Sequence, residues 1–288
     1  MPELPEVESL RRILARSAAG LTIVAAKVLE PRLRRKVSPD FEASIAGRRI
    51  EALARRAKYL ILELGGGDAL LVHLGMSGSL THRPGNSGPP AGGPAFADDD
   101  ESLDPAHDHV EFRLDDGSRM VYNDPRRFGL LKLVPAGTLD STVELSGLGP
   151  EPLSRAFNAA YLALKARGRR VAIKNLLMDQ RIVAGIGNIY AAEILFRAAV
   201  RPTRRSGRLS RAEIGRVAAA TPSVLREAIG KRGTTFRSYR DSRGQPGGFS
   251  SRLRVYGREG EPCYTCSTPI RNVIVGQRAS FFCPRCQK

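Results

Sequence analysis

All four cysteines of the 288-residue chain fall in its last 26 residues, as Cys263-x2-Cys266 and, sixteen residues on, Cys283-x2-Cys286. Two CxxC pairs at that separation match a four-thiolate zinc site on a β-hairpin, each knuckle giving two ligands to one tetrahedral ion. Two disulfides are the alternative reading, but bridges within each CxxC would not staple the hairpin. Four thiolates leave no open coordination position, so the expected ion is structural. Arg271, Gln277 and Arg278 fall on or near the expected hairpin turn, placed to meet a phosphate.

Charge sharpens the second half. Residues 1–150 hold 19 basic and 21 acidic side chains; residues 151–288 hold 27 and 8, and the whole chain carries +17. A positive excess confined to one region is the footprint of a nucleic-acid partner, with a merely solvated basic surface as the alternative. No apolar run reaches the ~18–20 residues of a membrane helix, and the acidic start Met1–Glu8 is unlike a signal peptide. A cytoplasmic monomer, free of the membrane, is expected. Neither a Walker A loop nor a GxGxxG is present, so no nucleotide cofactor is implied.

The pattern divides the chain as 1–135, a linker 136–154, 155–250 and 251–288. A helix is predicted over 5–18, with Pro5 and Glu6 early and Val7, Leu10 and Leu14 at helical spacing. Seven short strands follow (21–29, 48–54, 59–64, 69–74, 110–114, 118–123, 130–134), which suggests a sandwich or barrel. Residues 83–107, rich in Gly, Pro and Asp, read as a surface loop. Helices are predicted over 157–166, 172–177, 189–197 and 211–229, the last capped by Ser210, then a Gly/Arg/Ser-rich loop over 230–249. The fold class is α+β and two-lobed: a helix with a β-sandwich, then a helical lobe and a zinc hairpin.

Removal of Met1 would leave Pro2 with a free secondary amine, followed at once by Glu3. An α-amino group titrates near 7.7–8.0, against about 10.4 for lysine, so part of it is unprotonated at neutrality. Such an amine can attack a sugar C1′ and form an iminium, and a neighbouring carboxylate can move the protons.

Met1-Pro2-Glu3-Leu4-Pro5-Glu6-Val7-Glu8 resembles the start of the formamidopyrimidine-DNA glycosylases of the Fpg/Nei family, zinc-finger enzymes of base excision DNA repair. The likeness continues through Arg55–Leu60, His73–Gly78, His107–His109, Asn123–Gly129, Gly185–Ala191, Gly233–Thr235, Val255–Arg258 and the cysteine tail, in family order from end to end. It implies a glycosylase and AP lyase that excises oxidised purines from double-stranded DNA through a Schiff base, then nicks by β,δ-elimination. Pro2 would be the nucleophile and Glu3 the acid/base group. Lys58 would serve β-elimination and Arg278 δ-elimination. Met76, Arg126 and Phe128 would fill the gap left by the extruded nucleotide; extrusion costs a few kcal/mol. Without the resemblance, Met76 and Phe128 read as core residues. Asn188, in a Gly-x-Gly-Asn turn that could equally cap a helix, would grip phosphate in a helix–two-turn–helix element. His73, His107, Arg169 and Lys174 match further DNA-contacting positions.

Leu4, where the endonuclease VIII branch has Gly, favours oxidised purines over oxidised pyrimidines; a non-catalytic binder of damaged DNA would not need Pro2, Glu3 and Lys58. Two departures from the pattern stand out. The stretch 84–106 is longer than the family loop, and Ser250 follows Phe249 where a larger or amide-bearing residue is usual, in the loop expected to cover the extruded base.

Overall fold

The computed structural model describes residues 2–83, 85, 103–234 and 247–288. Most of the acidic loop and most of the 230–249 loop lie outside the described residues, as do Met1 and Thr235. The chain forms two compact units, residues 1–146 with 232–248, and residues 147–231 with 249–288.

The first unit opens with α1 (Leu4–Ser17), matching the predicted helix. Glu3 stands in extended conformation at its N-cap and Pro5 sits in its first turn, where a missing N–H costs nothing. Val7, Leu10 and Leu14 face the core. Next come β1 (Thr22–Val28), α2 (Phe41–Ile45), β2 (Arg48–Arg56), β3 (Tyr59–Leu64), β4 (Ala69–His73), β5 (Ser79–Arg83), β6 (Asp108–Leu114), β7 (Arg119–Asn123) and β8 (Leu130–Val134). Their antiparallel order is β5-β7-β6-β1-β2-β3-β4-β8. β1 and β2 share only the pairs Thr22–Arg49 and Ile23–Arg48, the seam between the two four-stranded halves of a sandwich. Ile23, Ile50, Leu60, Leu62, Val72, Phe112 and Tyr122 fill the interior with the apolar face of α1.

All seven predicted strands are present, with one addition. β5 escapes an apolar pattern because Ser79, Thr81 and His82 are buried there beside Leu80; His82 Nε2 meets Ser118 Oγ at 2.8 Å. The five-residue α2 is too short to show a period, yet Phe41 packs edge-on to Phe112 with centroids 6.2 Å apart.

The second unit contains α3 (Ala159–Ala166), α4 (Ile173–Met178), α5 (Asn188–Arg197) and α6 (Arg211–Gly230) around Leu162, Leu176, Tyr190, Ile194, Val217 and Leu225. Ser210 caps α6 with Glu213 in a reciprocal box. The hairpin β9 (Arg271–Val275) and β10 (Arg278–Phe282) packs with the cysteine knuckles through Val255, Ile270 and Ala192 of α5. The finger thus belongs to the helical unit, while residues 232–248 group with the sandwich, although the sequence pattern set them in the helical segment.

Candidate functional site

Pro2 and Glu3 are buried at the head of α1. The Glu3 N–H donates to Glu6 Oε2 at 2.8 Å, and Glu6 Oε1 accepts the N–H of Thr234 at 2.7 Å. One turn further, Glu8 draws Arg11, Arg12 and Arg55 together at 2.9, 2.8 and 3.2 Å. Burial pushes the Glu8 carboxyl up, but hydrogen bonds from Arg11 and Arg12 and the charges of Arg11 and Arg55 outweigh it and hold it at about 2. Arg55 also donates to the Ala57 carbonyl at 3.0 Å. Ala57 and Lys58 form the two-residue turn between β2 and β3, with Ala57 at φ 53°, so the Glu8 cluster ties α1 to the turn that carries Lys58.

Lys58 is buried, and its charge reaches His73. Burial chiefly, then Lys58 and Arg34, lower the His73 pKa to about 4. His73 Nδ1 accepts the Gly75 N–H at 3.0 Å, so the neutral ring carries its proton on Nε2. That nitrogen is left as a donor suited to phosphate.

Met76, Arg126, Phe128 and His107 are gathered by Asp124, which is fully buried. Its Oδ1 accepts from Ser77 Oγ at 2.8 Å and from the Arg126 N–H at 3.2 Å; its Oδ2 accepts the Gly129 N–H at 2.8 Å. Its own N–H donates to the His107 carbonyl at 3.0 Å. Phe128 is 45% exposed and Met76 half-buried, which removes the core reading of both. The Arg126 guanidinium stacks over the Phe128 ring at 4.7 Å. Glycine is required at Gly129, where a Cβ would fall on the Tyr122 hydroxyl and stand 2.6 Å from the His73 carbonyl oxygen.

In the second unit, Gln180 staples the two turns between α4 and α5. It donates to the carbonyls of Met178 and Ile186 and accepts from the Gly185 N–H, each at 2.8 Å. Asn188 opens α5 and donates to the Ala279 carbonyl at 3.1 Å, leaving its Oδ1 buried with no partner among the described residues. Arg169 is exposed after α3, and Arg278 is exposed at the start of β10. Lys174 departs from the expected DNA-facing position. It is fully buried, with its ammonium on the Ala279 carbonyl at 2.8 Å and on Ser280 Oγ. A buried ammonium must find protein acceptors, and here the hairpin supplies them.

The cysteine sulfurs all lie within 4.8 Å of one another, with Cys263–Cys286 at 4.0 Å and Cys266–Cys283 at 3.4 Å. A tetrahedral ion with metal–sulfur bonds of about 2.3 Å sets sulfur–sulfur edges near 3.8 Å, whereas a disulfide needs ~2.05 Å. The thiols are free, so the geometry is that of a metal site. The Thr265 and Cys286 N–H groups donate to Cys263 and Cys283 Sγ at 3.4 Å, which offsets thiolate charge.

Three residues that organise the site were not legible as such in the sequence: Glu6, Asp124 and Glu193. Glu193, buried in α5, accepts the N–H groups of Arg254, Val255 and Tyr256 at 2.9, 3.0 and 2.9 Å, fastening the helix to the segment before the finger. Burial pushes its pKa up against those three donors.

A helix–two-turn–helix core carrying a cysteine finger, in a chain that also holds a sandwich with an acid buried at its N-terminal helix, defines a class of DNA-repair glycosylases. Residues 1–131 match the formamidopyrimidine-DNA glycosylase N-terminal domain, 148–239 the H2TH domain of the same enzymes, and 260–288 the zinc finger found in FPG and IleRS. A formamidopyrimidine-DNA glycosylase of Syntrophotalea carbinolica is 46% identical over 288 residues, covering all of both chains. The crystal structure of MutM (Fpg) from Thermus thermophilus superposes with a TM-score of 0.83 at 39% identity, over 99% of this chain and 98% of that one. Lactococcus lactis Fpg in complex with abasic-site DNA gives 0.87 at 29% identity, over 99% of each chain. The chain belongs to the formamidopyrimidine-DNA glycosylase family.

Proposed function

We propose that this chain excises oxidised purines, 8-oxoguanine and formamidopyrimidines, from duplex DNA and then nicks the strand as an AP lyase. The observation that carries the reading is the buried Pro2–Glu3 pair, whose backbone is fixed by Glu6 at the head of α1. After loss of Met1, the Pro2 nitrogen attacks C1′ of the damaged nucleotide. The bond from C1′ to the base breaks and the base leaves with the proton shed by the Pro2 nitrogen; the C1′–O4′ bond then opens as Glu3 gives O4′ a proton, so that nitrogen and C1′ become a ring-opened iminium. The resulting iminium acidifies C2′: loss of a proton there expels the 3′ phosphate, with Lys58 assisting. A second elimination expels the 5′ phosphate, with Arg278 assisting. Hydrolysis of the remaining conjugated iminium frees Pro2.

Phosphate contacts from His73, His107, Arg169 and Asn188 hold the duplex, while Met76, Arg126 and Phe128 occupy the space of the extruded nucleotide. An exposed phenyl ring under a guanidinium suits a wedge that also offers donors to the orphaned base. One Zn2+ on Cys263, Cys266, Cys283 and Cys286 supplies folding energy to the hairpin that presents Arg278. The protein acts as a monomer in the cytoplasm, on nucleoid DNA.

Borohydride trapping on an 8-oxoguanine duplex tests the reading. A covalent adduct is expected with the native chain, and a loss of at least about 100-fold with Pro2→Gly. Adducts of equal yield in both, or mass spectrometry showing Met1 retained on active protein, would overturn it. Faster excision of dihydrothymine than of 8-oxoguanine would move the chain to the oxidised-pyrimidine branch.

A further inference from the structure

Lys174 sits on α4 with no solvent exposure, yet it lies among residues expected to meet DNA. Its ammonium donates to the Ala279 carbonyl at 2.8 Å and to Ser280 Oγ. Ser280 Oγ in turn donates to the carbonyl of Arg278 at 3.1 Å. Asn188 donates to the same Ala279 carbonyl at 3.1 Å. Two consecutive carbonyls of β10 are therefore held from α4 and α5, one through a charge-assisted bond and one through a hydroxyl relay.

The turn just before them is fixed as well. Gly276 and Gln277 have φ of 57° and 61°, and Arg278 pairs with Val275, which makes a two-residue hairpin turn of the kind that matches strand twist. A Cβ on Gly276 would stand 2.7 Å from the side-chain amide of Asn175, the residue after Lys174. The hairpin tip thus seats against α4, and Arg278 is the exposed side chain that leaves this anchored backbone.

We propose that Lys174 is a positioning residue for Arg278, acting through the backbone of β10 and not through DNA. The inference rests on the δ-elimination role given to Arg278 above. Removing the ammonium frees the first residues of β10 and lets the Arg278 guanidinium wander from the second leaving phosphate. Base excision and the first elimination, which use Pro2, Glu3 and Lys58, continue.

The test is the ratio of β,δ- to β-elimination products on abasic-site duplex, measured for the native chain, Arg278→Ala and Lys174→Met. Both variants are expected to lower the ratio about tenfold, while the borohydride-trapping rate of Lys174→Met stays within about twofold of native. The slope of log affinity against log salt is expected to be unchanged in Lys174→Met, because giving up one phosphate would reduce it by about one. A reduced slope, or an unchanged product ratio in Lys174→Met while Arg278→Ala lowers it, overturns the inference and leaves the enzyme reading intact. An unchanged ratio in Arg278→Ala overturns the role on which the inference stands. Should Lys174→Met lose its metal, Ser280→Ala carries the test of the relay: it frees the Arg278 carbonyl while the ammonium stays on the Ala279 carbonyl, a lowered product ratio is expected, and a native ratio there overturns action through the Arg278 carbonyl.

Discussion

Glu6 accepts the backbone N–H of Thr234 at 2.7 Å across 228 residues of chain, with the other oxygen of the same carboxylate on the N–H of Glu3. One side chain therefore sets the N-terminus of α1 against the segment that precedes residues 235–246. Gly233 makes the approach possible: at φ 80° it turns the chain, and a Cβ there would stand 2.6 Å from Glu6 Oε1.

Glu6→Ala leaves two buried N–H groups without this acceptor, a loss of about 2–4 kcal/mol in urea unfolding. Glu6→Gln keeps the shape but sets an NH2 against one of the two donors. It is expected to slow borohydride trapping by about 10–100-fold through misplacement of Pro2 and Glu3, with DNA affinity little changed. Native trapping kinetics in Glu6→Gln would show that the N-terminal pair is held by something else.

Asp124 offers a sharper separation of steps. Its carboxylate joins the turn bearing Met76 to the loop bearing Arg126 and Phe128. Asp124→Asn weakens that joint while keeping its volume, because an amide nitrogen cannot accept from either loop. Excision of 8-oxoguanine, which requires extrusion of a paired base, is expected to fall at least about tenfold. Nicking of a ready-made abasic site should fall far less. Equal losses on the two duplexes would mean that Asp124 supports the sandwich as a whole and not the wedge.

These two acids mark where sequence reading stops. Pro5, Glu6 and the spacing of Val7, Leu10 and Leu14 gave α1 because helical period and first-turn preferences are local. The cysteine spacing gave the finger because four thiolates around one ion fix their own geometry. Glu6 reads only as a first-turn acid and Asp124 only as a member of the Asn123–Gly129 block, because the partners that bury them are remote in sequence: Thr234 for one, Ser77 for the other. The burial of Lys174 is hidden for the same reason. A lysine among basic neighbours reads as a surface charge until the Ala279 carbonyl, 105 residues on, is brought to it.

Acid should destabilise the first unit in two steps. His73 has a folded pKa near 4, below the value of about 6.5 for a free imidazole, so the unfolded chain binds the extra proton first. Its contribution is complete above about pH 6.5 and is lost as pH falls toward 4. Glu8, held at about 2, contributes above its ordinary range near 4.5 and loses that contribution as pH falls toward 2. His73→Gln is therefore expected to flatten the fall of the urea midpoint between pH 6.5 and 4, leaving the lower step. DNA affinity between pH 6 and 8 should show no His73-dependent slope, since the ring stays neutral. A His73-dependent rise in affinity on acidification across that range would mean that the ring binds phosphate as a cation.

Metal removal should dissect the second unit. The finger's small core, Val255, Ile270, Cys263 and Cys283 with Ala192, is distinct from the helical core around Leu176, Tyr190 and Val217. Four thiols brought within 4.8 Å without an ion lack the bonds that hold the knuckles, and structural zinc contributes of order 10 kcal/mol to small fingers. Chelation, or Cys266→Ser, is expected to release the hairpin with little loss of helical circular dichroism. DNA affinity should fall and the salt slope become shallower by about one for each phosphate that the hairpin no longer neutralises. The δ-elimination product should fall with them, because Arg278 leaves with β10. Trapping at saturating DNA should survive, since Pro2, Glu3 and Lys58 belong to the other unit. A metal-free chain with native salt-dependent affinity would show that the hairpin is held by its packing on α4 and α5 alone, with Lys174 and Asn188 sufficient to keep it seated.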